Sequence, residues 1–339
     1  MTSLERIGAA LSGKFADRRA VAPLLALYGS RLAGIPLERY YRDAAAYTEG
    51  QQAVVRRFDP DALFGPFVLA YEAAAYGAEL KWTETAPPNV RKHLRLSAGA
   101  LPSIIAPEND ADLSYLVESV RLTAEFCRGE KPVAAVLTSP ADLPALLLGV
   151  DAWLEILLFD PAAASDFLSF SEEHFVALAS AYFKAGATFI AVPIMFANPA
   201  ILTDALIEKL ALPALRRAFA RASGPIVFHH GAIPLAERIG MFKDLPNVAG
   251  FLLDEKDDST TARNTLGPGP LLIAGPAGPT LRNRSPESVA ATVRRFLRER
   301  ADDPAFMIAT GAADIPVDTD PEIIDALLRA ARNEEPIDG

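Results

Sequence analysis

The chain predicts a barrel of eight parallel strands wrapped by helices, a (β/α)8 TIM barrel, on three observations. Eight short apolar runs recur along its 339 residues, periodic helical stretches separate most of them, and several runs end on a polar residue. Strand–helix alternation calls for parallel pairing, and eight such units predict closure. In that architecture the chemistry sits at the strand C-termini. The clearest such end is Ile226-Val227-Phe228-His229-His230-Gly231, which holds two of the four histidines.

A helical lead-in comes first. Predicted strands follow at 21–27, 62–69, 132–138, 187–194, 225–229, 248–253, 271–274 and 305–310, each apolar and bounded by Gly, Pro or polar residues. Helical periodicity marks Ser165 to Lys184, Thr203 to Ala222 with a break at Pro213, and Pro286 to Arg300. Ser285 is placed to cap the last of these, with Pro286 at its first position. Residues 81–112, with Pro87-Pro88, Arg91-Lys92-His93 and Leu101-Pro102, depart from the alternation. They predict an excursion hanging over the barrel mouth as a wall or lid. A single domain over 1–339 is expected, its acidic end from Asn333 to Gly339 frayed.

Composition narrows the function classes. Half the residues are hydrophobic and 22% charged, which suits a large core. Net charge is -10, and the cluster Arg294, Arg295, Arg298 and Arg300 has helical spacing beside Glu299, so no nucleic-acid partner is expected. Cys127 is the only cysteine, which excludes disulfides and Cys-rich zinc sites. It ends a predicted helix, at the structural end of the barrel, and reads as an inert thiol. No segment has the ~20 uninterrupted apolar residues of a membrane span, and no basic, apolar leader opens the chain. A soluble, cytoplasmic protein is expected.

Candidate site residues follow from the strand ends. His229 and His230 are adjacent, so a regular strand would send only one into the mouth, where it could bind metal or move protons. Asp254 directly follows Val248-Ala249-Gly250-Phe251-Leu252-Leu253, while Asp257 and Asp258 suit a helix start, capped by Asp258 or Ser259. Glu72 follows the second strand, either holding a metal or polar substrate or lying on a surface helix. Arg31 follows the first, facing an anionic group or making a structural ion pair. Met195 and Phe196 extend the fourth as pocket wall or core. Asp314 lies just beyond the eighth. The glycines at 267, 269, 275 and 278 lack the spacing of a phosphate-binding loop.

Several matched pieces run in order along the chain. In the first half they are Asp59 to Phe67, Tyr71-Glu72-Ala73 with Gly77, and Thr138-Ser139-Pro140 with Leu148-Gly149 and Asp160-Pro161. In the second half they are Leu212-Pro213 with Pro225 to Gly231, then Gly250 to Asp254 with Ala262-Arg263 and Leu266-Gly267. Ala274-Gly275-Pro276 with Ser285 to Val289, and Thr310-Gly311 with Ile315-Pro316 and Thr319-Asp320-Pro321, complete the series. Over most of residues 4–332 the chain thus resembles the uroporphyrinogen decarboxylase superfamily. That superfamily includes cobalamin-dependent methyltransferases that feed coenzyme M.

The departures shape what the resemblance implies. The decarboxylases carry an Arg-Gln-Ala-Gly-Arg-type motif after strand one, where this chain has Ala26 to Gly34. Their strand-two Asp is missing from Leu63-Phe64-Gly65-Pro66-Phe67, and their His after strand eight from Gly311-Ala312-Ala313. The thiol-alkylating relatives hold zinc with His-x-Cys-Gly and a later Cys. Here Phe228 and His230 fill the first two ligand positions, and Ala312 or Ala313 the third.

The resemblance therefore implies a methyltransferase moving a methyl group to or from a corrinoid, such as methylcobalamin, free or on a partner corrinoid protein. Its other reactant is a small-molecule methyl donor or acceptor; a homodimer is left open. His230, as proton donor or metal ligand, with Asp254 and His229, forms the expected catalytic group. Arg31, Glu72, Thr138, Met195, Phe196, Gly275 and Asp314 are expected to bind substrate. Zinc is not expected; a metal, if held, would take His230, Glu72 and Asp254. The alternatives are a decarboxylase or lyase acting on a small or tetrapyrrolic acid, and a catalytically silent ligand-binding protein of this fold.

Overall fold

The computed structural model describes residues 1–95 and 101–333. Part of the predicted excursion and all but Asn333 of the acidic end lie outside them. The strands in chain order are β1 (Val21–Ala22), β2 (Leu63–Phe64), β3 (Glu79–Lys81), β4 (Asn89–Lys92), β5 (Val133–Val136), β6 (Phe189–Pro193), β7 (Ile226–His229), β8 (Val248–Leu252), β9 (Leu271–Ala274) and β10 (Phe306–Ala309). Eight of them form one parallel sheet in the order β1-β10-β9-β8-β7-β6-β5-β2, a nearly closed (β/α)8 TIM barrel. β3 and β4 form a separate antiparallel hairpin inside the excursion, and Leu94 N–H ties it to Leu147 O.

All eight predicted barrel strands are present, and the first two are much shorter than their apolar runs. Pro23 and Pro66 have no N–H to offer a ladder, so pairing stops just ahead of each. Pro213 does not break its helix. A π turn over Ile207–Ala211 absorbs the missing donor, and helix continues through Leu212–Ala220. Ser285 and Asp258 cap their helices through side-chain oxygens, on Ser288 N–H and Thr260 N–H. Cys127 ends helix Ala111–Cys127, where burial pushes its thiol up to about 11. Among the described residues no helix is long and apolar enough to cross a membrane.

A buried carboxylate closes the seam between β1 and β2. Asp61 N–H donates to Val21 O, and Asp61 Oδ2 accepts from Val21 N–H, both at 2.8 Å. Burial alone would raise this carboxyl. Arg18 Nη1 at 2.6 Å, Val21 N–H and Ser3 Oγ at 3.0 Å together hold it below its usual range. Arg6 Nη1 adds a contact at 2.8 Å, from the helix Ser3–Leu11. One side chain thus replaces the missing ladder and fastens that helix across the barrel floor.

Alternation along the strands divides two cores. On β6, β7, β9 and β10 the residues Ile190, Val192, Ile226, Phe228, Leu272, Ile308 and their like pack outward against helices. Their neighbours Ala191, Val227, Ile273, Met307 and Ala309 face inward with Ile7 of the floor helix. The inward set is small in places, and a cavity of about 130 Å³ remains inside the barrel. At ~24 cal/mol per Å³, a void of that size costs on the order of 3 kcal/mol when empty.

Removing one partner of a buried, hydrogen-bonded ion group typically costs ~3–5 kcal/mol. Asp61→Ala is therefore expected to lower unfolding stability by about that amount, because Arg6 and Arg18 each lose one of their acceptors and Val21 N–H loses its own. Chemical denaturation of both proteins checks this, and a loss below ~1 kcal/mol would show the seam to be held otherwise.

Candidate active site

The mouth lies at the strand C-termini, and neighbouring loops there are joined by carboxylates. Parallel strands leave the N–H groups of the following loops unpaired, and each needs an acceptor. Asp142 accepts from the N–H groups of Met195, Phe196 and Ala197 at 2.7–2.9 Å. Asp257 takes those of Leu235 and Ala236 at 2.8 Å and of Asp254 at 2.9 Å. Glu255 takes Ala277 N–H, Glu72 takes Thr138 N–H, and Asp314 takes Leu27 N–H, all at 2.8 Å. Burial raises Asp142 and Asp257, while these donors pull the other way.

This arrangement gives four of the residues expected to bind substrate a structural task. Both Glu72 oxygens are engaged within the protein: Oε1 takes Thr138 N–H and Oγ1, and Oε2 lies 3.0 Å from His174 Nε2. His174 in turn meets Tyr76 OH at 2.9 Å, so Glu72 heads a buried polar chain. The Thr138 hydroxyl is committed to the same carboxylate. Arg31 is exposed, lies over the Tyr28 ring and donates Nη1 to the carbonyls of Val317 and Thr319. Gly275 is explained by strand packing, since a Cβ there would lie 2.1 Å from Ala309 O.

Three predicted residues do converge. β7 ends at His229, and the chain turns at once through Gly231 (φ 66°), where a Cβ would meet Ile194 O at 2.0 Å. The turn defeats strand alternation. Instead of opposing one another, the His229 and His230 rings stack, with centroids 4.6 Å apart and planes 9° apart. Asp254 Oδ2 lies 3.5 Å from His230 Nδ1, too far for a good hydrogen bond. Phe228 faces away and stacks on Phe242.

Local donors fix the state of both rings. His229 Nδ1 accepts from Gly231 N–H at 2.9 Å, so the neutral ring carries its hydrogen on Nε2. His230 Nε2 accepts from Ala312 N–H at 3.1 Å, so its hydrogen is on Nδ1, toward Asp254. Ala312 holds a left-handed φ of 68°, unusual for alanine, and this N–H contact offsets part of that strain. Burial, then repulsion from His230, drives the His229 pKa well down. Burial lowers His230 to about 4 despite the attraction of Asp254. Both rings are neutral at pH 7. His230 is therefore neutral, with its one ring hydrogen directed toward Asp254.

Asp314 is different. Burial pushes its carboxyl up to about 7, against the backbone donors Leu27 and Ala26. Its Oδ2 is buried without a hydrogen-bond partner, as is the Tyr41 hydroxyl. Met195 and Phe196 stand half-exposed beyond β6. Asp142, Glu255 and Asp257 were missed as loop fasteners. The available signal was their position, an acid shortly after an apolar run, which also describes Asp254.

A zinc site does not fit these side chains. Among the described residues no group of three or more His, Cys, Asp or Glu is arranged to hold a metal, and Glu72 and His230 Nε2 are engaged elsewhere.

Comparison with known proteins places this geometry. Residues 2–334 match the family model described as uroporphyrinogen decarboxylase (URO-D). No curated protein matches the chain in sequence. A methyltransferase from Methanosarcina mazei has a similar structure, with a TM-score of 0.87 at 19% identity, covering 98% of this chain and 99% of that one. A B12-independent methionine synthase from Shewanella sp. W3-18-1, in complex with selenomethionine, gives a TM-score of 0.56 at 11% identity over 93% and 94% of the two chains. At such identities these two likenesses concern the fold. The family match spans nearly the whole barrel, and the chain belongs to the uroporphyrinogen decarboxylase family.

Proposed function

We propose that the chain is a methyltransferase that moves a methyl group to or from a corrinoid, supplied as methylcobalamin or on a partner protein. One observation carries the reading. The buried groups His229, His230, Asp254 and Asp314 at the β7, β8 and β10 ends include no cation at neutral pH, and the cation nearest in the chain, Lys256, is exposed. A polycarboxylated tetrapyrrole needs cations to hold its acid groups, and the Arg31 expected for that task donates to carbonyls instead. A methyl group in transfer needs apolar surroundings, in-line placement and control of one proton. The methyltransferase named for the similar M. mazei structure favours the same class.

The roles follow from the geometry. Met195 and Phe196 wall the mouth and keep water from the transferring carbon. His229 presents a neutral Nε2–H, suited to a leaving or attacking oxygen or nitrogen. His230 is anchored through Nε2 by Ala312 N–H and turns its Nδ1–H toward Asp254. Asp314 is the residue whose proton exchanges near neutrality, so it serves as acid or base. Among the described residues no set of metal ligands for a thiolate is present, which favours an oxygen- or nitrogen-centred partner for the methyl group.

Mixing purified protein with methylcobalamin under anaerobic conditions is expected to perturb the corrinoid spectrum, and uroporphyrinogen is expected to yield no decarboxylated product. An unchanged spectrum together with decarboxylated product lost in Asp254→Ala would replace methyl transfer with the decarboxylase reading. An unchanged spectrum and no product would favour a silent binding protein.

Asp314 gives a second test with a definite sign. The folded chain keeps this proton up to about pH 7, whereas an unfolded Asp releases it near ~4. The contribution of Asp314 to stability is therefore greatest below that lower value, falls as pH rises to 7, and levels off above. Asp314→Asn keeps an acceptor for Leu27 N–H and cannot ionise. It is expected to flatten the decline between pH 5 and 8 and to exceed the parent at pH 8 by on the order of 1–3 kcal/mol. In a methyl-transfer assay the same change should cut turnover ~100-fold or more and remove an inflection near pH 7. Parallel pH–stability curves for parent and variant would contradict the protonated form.

A further inference from the structure

Barrel interiors of this class are normally filled by layers of Val, Ile and Leu. Here three inward positions, Ala22, Ala191 and Ala309, carry only a methyl group, and the cavity of about 130 Å³ opens between them. Its floor is the helix Ser3–Leu11, through Leu4, Ile7 and Leu11; its roof is formed by Phe67, Pro193, His229 and Thr310. The wall is almost wholly apolar. Thr310 Oγ1 and Thr188 Oγ1 already accept from Leu24 and Val133 N–H groups. Each hydroxyl keeps its own hydrogen, and His229 adds the one ring N–H. Its Nδ1 is occupied by Gly231 N–H, and Nε2 has no protein partner among the described residues.

We propose that the barrel core is a binding site for a small, uncharged molecule of about the size of a substituted benzene, with one acceptor atom that takes a hydrogen bond from His229 Nε2–H. Size sets the first limit, since a sealed apolar cavity of ~150 Å³ takes up benzene and stays dry without it. Charge sets the second, because an ion would enter a wall with no counter-charge. The imidazole donor sets the third, because it selects an acceptor over a bare hydrocarbon. Occupancy of this core does not require that the mouth transfer methyl groups. If it does, the ligand's acceptor atom lies at the boundary between core and mouth, where a methylated oxygen or nitrogen would be presented.

Titration of the full chain with toluene and with anisole, followed by ligand-observed NMR and calorimetry, tests the site. Both probes are expected to bind at one site per chain, anisole tighter by on the order of 3–10-fold. His229→Phe should bring the two affinities together by weakening anisole and sparing toluene. Ala309→Leu, which fills the space, should abolish both, and Ala191→Leu reads the same effect from another strand should the first variant not fold. Failure of both probes to bind the parent overturns the site. So does binding that survives a filling variant with a cooperative melt, or an anisole preference that survives His229→Phe. Probe binding without any corrinoid response would leave the ligand site standing and remove methyl transfer alone.

Discussion

The structure depends on acidic side chains that accept backbone N–H groups from the loop next door. A parallel barrel satisfies its strands through the ladder and leaves the loops at its mouth with unpaired donors. Glu72, Asp142, Glu255, Asp257 and Asp314 each take at least one such donor from a neighbouring loop. Asp61 does the same at the opposite end, where it completes the sheet. Hydrogen bonds to ionised acceptors are stronger than neutral ones, at ~1.5–3 kcal/mol each, and two acceptor oxygens can fasten two or three donors at once. Part of the chain's acidity is therefore structural.

This fastening also decides what remains for chemistry. Once a carboxylate has both oxygens engaged, as in Glu72, it holds the scaffold and no longer meets a substrate. His229 and His230 are set by the same means, with backbone N–H groups choosing the tautomer of each ring. Among the described residues the uncommitted groups include His229 Nε2, His230 Nδ1, the side of Asp254 facing it, and one oxygen of Asp314. In the methyl-transfer reading proposed above, a neutral donor and a carboxyl pushed up to about 7 would serve to move one proton beside an uncharged reactant. That is a different task from gripping a polyanion, although the family is the same.

The floor helix links the ends of the barrel. Arg6 fastens it to Asp61 at the seam, while Ile7 closes the cavity from below. The alanines above it leave space that larger residues would have filled at a gain in stability. A fold that tolerates such a void is weaker than it needs to be, which fits a core kept open for a ligand.

The eight strands, their order along the chain and the His-His end of β7 were legible in the sequence, because apolar runs broken by Gly, Pro and polar residues report local burial directly. The helix caps Asp258 and Ser285 were legible for the same local reason. So was the meeting of His230 with Asp254, since consecutive strands end side by side. The partners of each acid were not legible. Glu72 is bonded to His174, 102 residues away, and Asp314 to Leu27, 287 residues away. Nor could strand periodicity foresee that Gly231 would stack the two imidazoles. Local patterning follows from which residues avoid water, and the sequence determined it alone. Protonation, tautomer and the choice between scaffold and site depend on donors brought from distant segments, and only the closed barrel decided them.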